Sequence, residues 1–334
     1  MKKIDEIFKK GLSYYIDPKD PVELKDESIF FRKDTFNAEL SLGAKQIVTR
    51  FEEEAVTFSA LSKLTDLKIK RTLPYYSVNR DPEEAALEIR MKLYPGFIPD
   101  RKEFLKSLIN QLAENSLLVF EFTESWNKKE KANINGFFIA PDVIVLKRQN
   151  SYRREIFTLA HELGHYLLNA EEIDEKIGDE ISAYEKADQT EKWCNDFAYY
   201  FLAGETDTKL TALEKAEASN DFYHEEIKSI TDRTHLSEFA LYTRLRILDK
   251  ISWSDYIQVK KEFEDNYRKR EEERRKQKKL EKASGKKAGG GIPKPIYSPL
   301  YINTMQSALI EGIIGEAEFC RRLSIKPQHI HKYL

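Results

Sequence analysis

Two histidines and a glutamate form the most chemically informative pattern in this chain of 334 residues. His161, Glu162 and His165 make up a His-Glu-x-x-His motif. On a helix, positions four apart lie one turn apart on the same face, so both imidazoles can be directed at one point. Zinc accepts neutral nitrogen donors in a tetrahedral site, and a catalytic site keeps one position for water. Glu162 would take a proton from that water without binding the ion, so the motif predicts metal-assisted hydrolysis.

The residues around the motif predict that it lies on a helix. Ile156, Ala160, Leu163 and Leu167 recur at helical spacing and form an apolar stripe, within a helix expected from about residue 152 to 168. The alternative is an ordinary amphipathic helix on which two histidines occur by chance, a risk that every short motif carries. The helical context favours the metal site.

A metal site needs a third protein ligand, and none of the other four histidines has metal spacing with the motif. A carboxylate is the other usual third ligand. Glu191 is the best candidate, because it lies on the apolar side of a predicted helix, where an acidic side chain needs a partner. Asp188 and Asp196 are weaker alternatives, and Cys194 is expected to be a buried core residue. Asn195, one turn after Glu191, is a candidate for a hydrogen bond to a zinc-bound histidine.

The elements before the metal helix are predicted to be strands. Residues 117–122, 137–139 and 143–146 are rich in strand-forming types, and Ala140-Pro141-Asp142 predicts a turn between the last two. We expect a small antiparallel sheet, and hence an α+β fold. An edge strand beside the metal can hold an extended peptide by pairing with it. The alternative is that the strands only pack beneath the helix.

Composition limits the classes of function. The formal net charge is −2 with 34% charged residues, which predicts no general attraction to nucleic acid or membrane. The chain has only two cysteines, Cys194 and Cys320, so we expect no disulfide framework. This cysteine usage predicts a cytoplasmic location. No apolar segment resembling a signal peptide or a membrane span is apparent.

Composition shifts and helix signals divide the chain into five predicted regions. Asp81-Pro82 predicts a helix start, and residues 268–287 hold 11 Lys/Arg and 4 Glu. Residues 234–248 resemble a helix–turn–helix, although ordinary helix packing is the favoured interpretation. For the basic segment 268–287, direct contact with nucleic acid is possible but is less favoured than a solvent-exposed linker. The regions are a charged, mainly helical extension (1–80), a metallopeptidase domain (81–205), a helical region (206–267), a basic glycine-rich linker (268–295) and a small helical region (296–334).

Several of these segments together resemble the ImmA/IrrE family of zinc metallopeptidases. The resemblance is carried by residues 153–168, by Glu191 with Asn195-Asp196-Phe197-Ala198, by residues 81–86 and by the Asn135-Gly136-Phe137 segment. It is strongest between about 80 and 205. The chain departs from the family pattern at Trp193 and Cys194 and at Phe201-Leu202-Ala203-Gly204, and we expect these positions to shape the cleft wall rather than the metal site.

The resemblance implies a zincin-type core with zinc bound by His161, His165 and Glu191, and with Glu162 as general base. Family members cut helix–turn–helix repressors or act as stress regulators in bacteria and mobile elements. Many relatives carry a DNA-binding domain before the region that begins here near Glu23, so a separate DNA-binding regulator or an antitoxin-like protein is the expected substrate. The alternative function is a regulator that binds protein or DNA and retains the zinc site without needing proteolysis.

Overall fold

The computed structural model describes residues 41–124, 132–148, 151–171, 184–185, 187–283 and 294–333. It contains a small sheet surrounded by helices, as the α+β prediction requires. The strands are β1 (Leu118–Phe122), β2 (Gly136–Ile139) and β3 (Val143–Lys147). The helices are α1 (Leu42–Leu64), α2 (Pro82–Leu93), α3 (Arg101–Glu114), α4 (Tyr152–Leu168), α5 (Gln189–Ala203), α6 (Asp207–Thr211), α7 (His224–Thr231), α8 (Glu238–Ile247), α9 (Trp253–Ala283), α10 (Pro299–Ile310) and α11 (Glu316–Arg322). Short 3₁₀ segments occupy Gly204–Thr206, Ala218–Tyr223 and Pro327–Lys332.

Local capping chemistry sets the starts of several helices. The Asp81 carboxylate accepts hydrogen bonds from the first backbone amides of α2, and Pro82 occupies the first helical position, where a missing N–H costs nothing. Asp100 caps α3 in the same way. The helix start at Asp81-Pro82 was predicted from the sequence and is confirmed.

The sheet is mixed, so the prediction of an antiparallel sheet is wrong in one pairing. The strand order is β1-β3-β2, with β2 antiparallel to β3 and β1 parallel to β3. The β2–β3 hairpin follows from the short turn at Ala140-Pro141-Asp142, but β1 is separated from it in sequence, and period-two patterning carries no information on direction. Because both faces are covered, nearly every strand residue is buried. Continuous apolar runs of this kind are typical of sheets between two layers.

The two faces of the sheet contact different parts of the chain. Val119, Phe138 and Ile144 pack into the cluster that contains α4 and α5. The alternate residues pack into a second cluster, which is formed with α1 from before the domain and with α10 and α11 from after the linker. Tyr301 of α10, for example, lies 5.0 Å from Phe120 between ring centroids. The predicted regions 1–80 and 296–334 therefore share one apolar layer; residues 1–40 lie outside the described residues.

Helices α7, α8 and α9 complete the larger cluster. The middle of α8 is buried, and Arg244 within it forms an ion pair with Asp196 of α5. This face of α8 therefore packs against the rest of the protein, as the interpretation of ordinary helix packing requires. Helix α9 continues through residue 267, where a region boundary was predicted. Most of the described side chains in its Lys/Arg-rich C-terminal part are exposed. Within the described ranges, no helix is both long and apolar enough to cross a membrane.

Candidate metal centre

The metal helix α4 runs from Tyr152 to Leu168, as the apolar periodicity predicted. His161 and His165 are fully buried, and their Nε2 atoms lie 3.1 Å apart. The four-residue spacing therefore brings both ring nitrogens to one point.

Helix α5 brings Glu191 to the same point. The Glu191 carboxylate oxygens lie 3.2 Å from His161 Nε2 and 3.0 Å from His165 Nε2. These are ion-pair distances, but neither oxygen forms a hydrogen bond with any residue that the structure describes. Asp188 fixes the start of α5, because its side chain accepts a hydrogen bond from the Glu191 backbone amide at 2.9 Å. The structure thus groups His161, His165 and Glu191, the one such cluster of possible metal ligands among the described residues.

The weaker ligand candidates are engaged elsewhere. Asp188 serves as the helix cap. Asp196 accepts hydrogen bonds from Arg244 and from the Tyr184 hydroxyl. Cys194 is buried, as predicted, and its thiol is not part of the three-residue cluster.

The cluster fits a tetrahedral metal ion. An ion with bonds of about 2.0–2.1 Å to nitrogen and oxygen would place its donors about 3.3 Å apart. The two Nε2 atoms lie 3.1 Å apart, and each lies 3.0–3.2 Å from a different oxygen of Glu191, close to that edge length. Two imidazoles and one carboxylate are the donor set of a catalytic site that keeps a fourth position open. Carboxylate oxygens that are buried without hydrogen bonds are the expected state of groups that a metal would satisfy.

Backbone geometry at the end of α4 orients His165. Asn169 adopts a left-handed conformation (φ 51°) that ends the helix. The Ala170 carbonyl then lies 3.1 Å from His165 Nδ1, so Nδ1–H donates to it and Nε2 is left with its lone pair for a metal. His161 Nδ1 has no hydrogen-bond partner among the described residues. Among the described residues, Asn195 forms no hydrogen bond with either imidazole. The hydrogen bond from Asn195 to a zinc-bound histidine therefore stays a prediction.

Electrostatics favour an ionised Glu191 and a protonated Cys194. Burial acts to raise the pKa of Glu191, but the two adjacent imidazoles outweigh it and hold this pKa well below its usual range. Burial raises the pKa of the Cys194 thiol to about 11. The cluster therefore presents an ionised carboxylate beside two imidazoles, a donor set that suits a divalent cation.

Glu162 lies beside the edge strand β2. A Cβ placed on Gly136, the first residue of β2, would be 3.1 Å from Glu162 Oε1 and 2.7 Å from Cγ2 of Thr158. Glycine is needed here because the strand backbone passes so close to the helix. Gly136 lies just before the predicted strand 137–139, but its contact with Glu162 depends on how strand and helix pack and could not be predicted from the sequence pattern.

Trp193 and Cys194, the first place where the chain departs from the family pattern, are buried rather than part of a cleft wall, and the second place, Phe201-Leu202-Ala203-Gly204, is buried as well. The Trp193 indole N–H donates to the Arg80 carbonyl at 2.7 Å, and the ring stacks on Phe197. Cys194 packs against Gly164 of α4, where a Cβ would lie 3.1 Å from its Sγ. The expectation that both positions shape the cleft is therefore wrong, because both side chains pack in the interior.

Residues 117–246 match the family model Peptidase_M78, described as an IrrE N-terminal-like domain. The match runs from the segment leading into β1 to a point within α8, and it confirms the ImmA/IrrE resemblance over that part of the chain. The match supports a metallopeptidase-type function, and it extends past the predicted domain end at residue 205. No curated protein matches the chain. No solved structure matches it either, so the zincin-like core stays a prediction.

Proposed function

We propose that this protein is a zinc-dependent endopeptidase that cleaves a regulatory protein of the helix–turn–helix repressor or antitoxin-like kind. The observation that carries the proposal is the convergence of His161, His165 and Glu191 at 3.0–3.2 Å, with Glu162 on the same helix beside an edge strand. The match of residues 117–246 to the Peptidase_M78 model supports the reaction class. The substrate and the bacterial or mobile-element setting rest on the family resemblance.

The proposed hydrolysis assigns a different role to each group of residues at the site. The two Nε2 atoms and the Glu191 carboxylate would hold zinc, which when bound lowers the pKa of water and polarises a carbonyl group. Glu162 would accept the proton of the attacking water and return it to the leaving amine. Strand β2 would pair with an extended peptide and keep its scissile bond close to Glu162. Burial of both histidines excludes bulk water from the donor atoms.

Glu162→Gln tests this proposal, because it removes the proton acceptor without changing a proposed ligand. Wild type and variant would be loaded with zinc, checked for metal content and incubated with a peptide library made from a digested bacterial proteome. We expect new amino termini with the wild type and none with the variant, at equal zinc content. Equal products from the two proteins, or no products from fully loaded wild type, would contradict peptidase activity.

The same variant addresses the alternative of a regulator that does not need proteolysis. If the protein's biological effect survives Glu162→Gln, cleavage is not its function. A structural zinc site gives no reason for a proton acceptor beside the ion and is usually closed by a fourth protein ligand, so we favour the enzyme.

A further inference from the structure

A small cavity lies one helical turn from the proposed metal centre. Phe157 precedes His161 by four residues on α4, and Asn195 follows Glu191 by four on α5; both line this cavity. Its volume is about 50 Å³. A helical turn spans about 5.4 Å, and an extended peptide advances about 3.3 Å per residue. A residue next to the scissile bond could therefore place its side chain in the cavity.

The walls combine apolar surface with polar groups. Phe157, Tyr199, Ala240 and Ile247 supply the apolar part, and Phe157, Ala240 and Ile247 are only half-buried, so the cavity is accessible from solvent. A site for one water needs roughly 10–15 Å³ by the same kind of measure. The cavity is therefore larger than a site for one water and is large enough for a short side chain.

Arg244 is the polar group that defines what this cavity can bind. Its residue is 7% exposed, Nη1 donates to Asp196 at 2.9 Å, and Nη2 donates to the Tyr200 hydroxyl. The N–H of the third guanidinium nitrogen, Nε, is buried and has no hydrogen-bond partner within the described part of the chain. A buried donor without a partner is costly, so it favours a ligand that supplies an acceptor.

Charge balance limits that acceptor. The Asp196 carboxylate neutralises the Arg244 guanidinium, and the Tyr184 hydroxyl donates to the other Asp196 oxygen at 2.9 Å. A neutral acceptor such as a hydroxyl or amide oxygen therefore suffices. The Asn195 amide also lines the cavity and makes no hydrogen bond to a described residue, so it can serve as a second polar contact.

We propose that this cavity is a specificity pocket for a short, neutral side chain with an oxygen acceptor, namely Ser, Thr or Asn, at a substrate position flanking the scissile bond. Arg244 Nε–H donates the hydrogen bond that selects it. The proposal rests on the peptidase function and adds a substrate class to it. Thr and Val have nearly the same shape, and Val would leave the buried donor unpaired, so this pair isolates the hydrogen bond.

The first test compares cleavage of matched peptides. A cleaved site from the proteome-derived library is resynthesised with Thr or Val at each position flanking the bond. We expect a Thr-over-Val preference of about tenfold in kcat/KM at one position. Ala240→Leu, which fills the cavity, should abolish this preference, whereas Arg246→Leu, on the same helix but outside the lining, should retain it. No preference in the wild type, or one that survives Ala240→Leu, would overturn the proposal.

The second test separates failure of this inference from failure of the peptidase function. In ¹⁵N-labelled Glu162→Gln protein, the Arg244 Nε–H resonance is followed by NMR while acetamide, a small neutral acceptor, is added. We expect a saturable shift that disappears when Ala240→Leu is also present. If wild type cleaves nothing, the peptidase function fails, and a saturable shift still supports an acceptor-binding cavity. Absence of any shift would reject the cavity as a binding site, whatever the enzyme cleaves.

Discussion

Gly164 on the metal helix lies directly against Cys194 on the helix that carries Glu191. A Cβ on Gly164 would be 3.1 Å from Sγ of Cys194 and 3.2 Å from its Cα. The second of these atoms belongs to the backbone, which cannot move without moving the helix. This close approach allows α5 to bring Glu191 to 3.0–3.2 Å from the two histidines.

Gly164→Ala should therefore weaken metal binding without touching a ligand. The added methyl group pushes α4 and α5 apart, which should lower the free energy of unfolding by about 1–3 kcal/mol. Zinc affinity should fall about tenfold, because Glu191 moves with α5. Competition with a chelator measures the affinity. Adding Cys194→Ala removes the clash with Sγ and should restore part of the zinc affinity.

Gly315→Ala is the matched control for this prediction. It is also a glycine-to-alanine change, at a position where a Cβ would have no neighbour within 4 Å. It should leave zinc affinity unchanged. If Gly164→Ala bound zinc as tightly as this control, the close approach would not be what positions Glu191.

Glu191→Ala should abolish zinc binding, because two imidazoles alone do not complete the site. We expect about one zinc per chain in the wild type after dialysis and almost none in the variant, measured by elemental analysis. Asp188→Asn is the control, since it keeps an oxygen to cap α5 and tests the neighbouring acid as a ligand. Zinc retained by Glu191→Ala but lost by Asp188→Asn would reverse the assignment.

The sequence predicted those parts of the site that depend on local spacing. The bounds of α4, the cap at Asp81 and the position of Glu191 on a helix all follow from patterns within a few residues. Such patterns report periodicity and capping, which are local properties. These local patterns predicted His161 and His165 as metal ligands and Glu191 as the best candidate for the third.

Features that depend on distant contacts were not predictable in the same way. The parallel pairing of β1 with β3 depends on where β1 enters the sheet, and hydrophobic patterning does not encode that. The ion pair between Arg244 and Asp196 joins residues 48 positions apart. The packing of Gly164 against Cys194 depends on how two helices approach each other. In each case the residue types were visible, but the partner was set by tertiary packing.

Gly136→Ala should reduce hydrolysis while leaving zinc bound. The new methyl group would lie 2.7 Å from Thr158 Cγ2 and 3.1 Å from Glu162 Oε1, so the strand and the proposed base must move apart. Misplacement on this scale should lower kcat/KM roughly 10- to 100-fold. Thr158→Ser removes the closest methyl group and should recover part of the rate in the double variant. Unchanged kcat/KM in the single variant would argue against a substrate strand held between β2 and Glu162.

A pH-dependent prediction concerns Glu121 on β1, which lies away from the metal ligands. Its carboxylate accepts a hydrogen bond from the Ile296 backbone amide at 2.6 Å and thereby fastens the chain after the linker to the sheet. Burial raises the pKa of Glu121 from 4.5 to about 7; the Ile296 amide and Arg148 oppose this rise, and Glu155 adds to it. Between these two pH values the folded protein keeps a proton that the unfolded chain has lost. The free energy of unfolding therefore falls as pH rises through this window.

Glu121→Gln should remove this pH dependence, because the amide keeps an oxygen acceptor for Ile296 and carries no charge. A shift from 4.5 to about 7 corresponds to about 3.4 kcal/mol in all, of which about 2–3 kcal/mol falls between pH 5 and pH 8, so the variant should gain about that much stability relative to wild type over this range. Urea unfolding of both proteins at the two pH values measures the difference, and zinc-linked effects cancel because both proteins share them. Glu114→Gln, at an exposed position, should show no such gain. Parallel pH profiles for wild type and Glu121→Gln would mean that Glu121 is ionised at no cost in the folded protein.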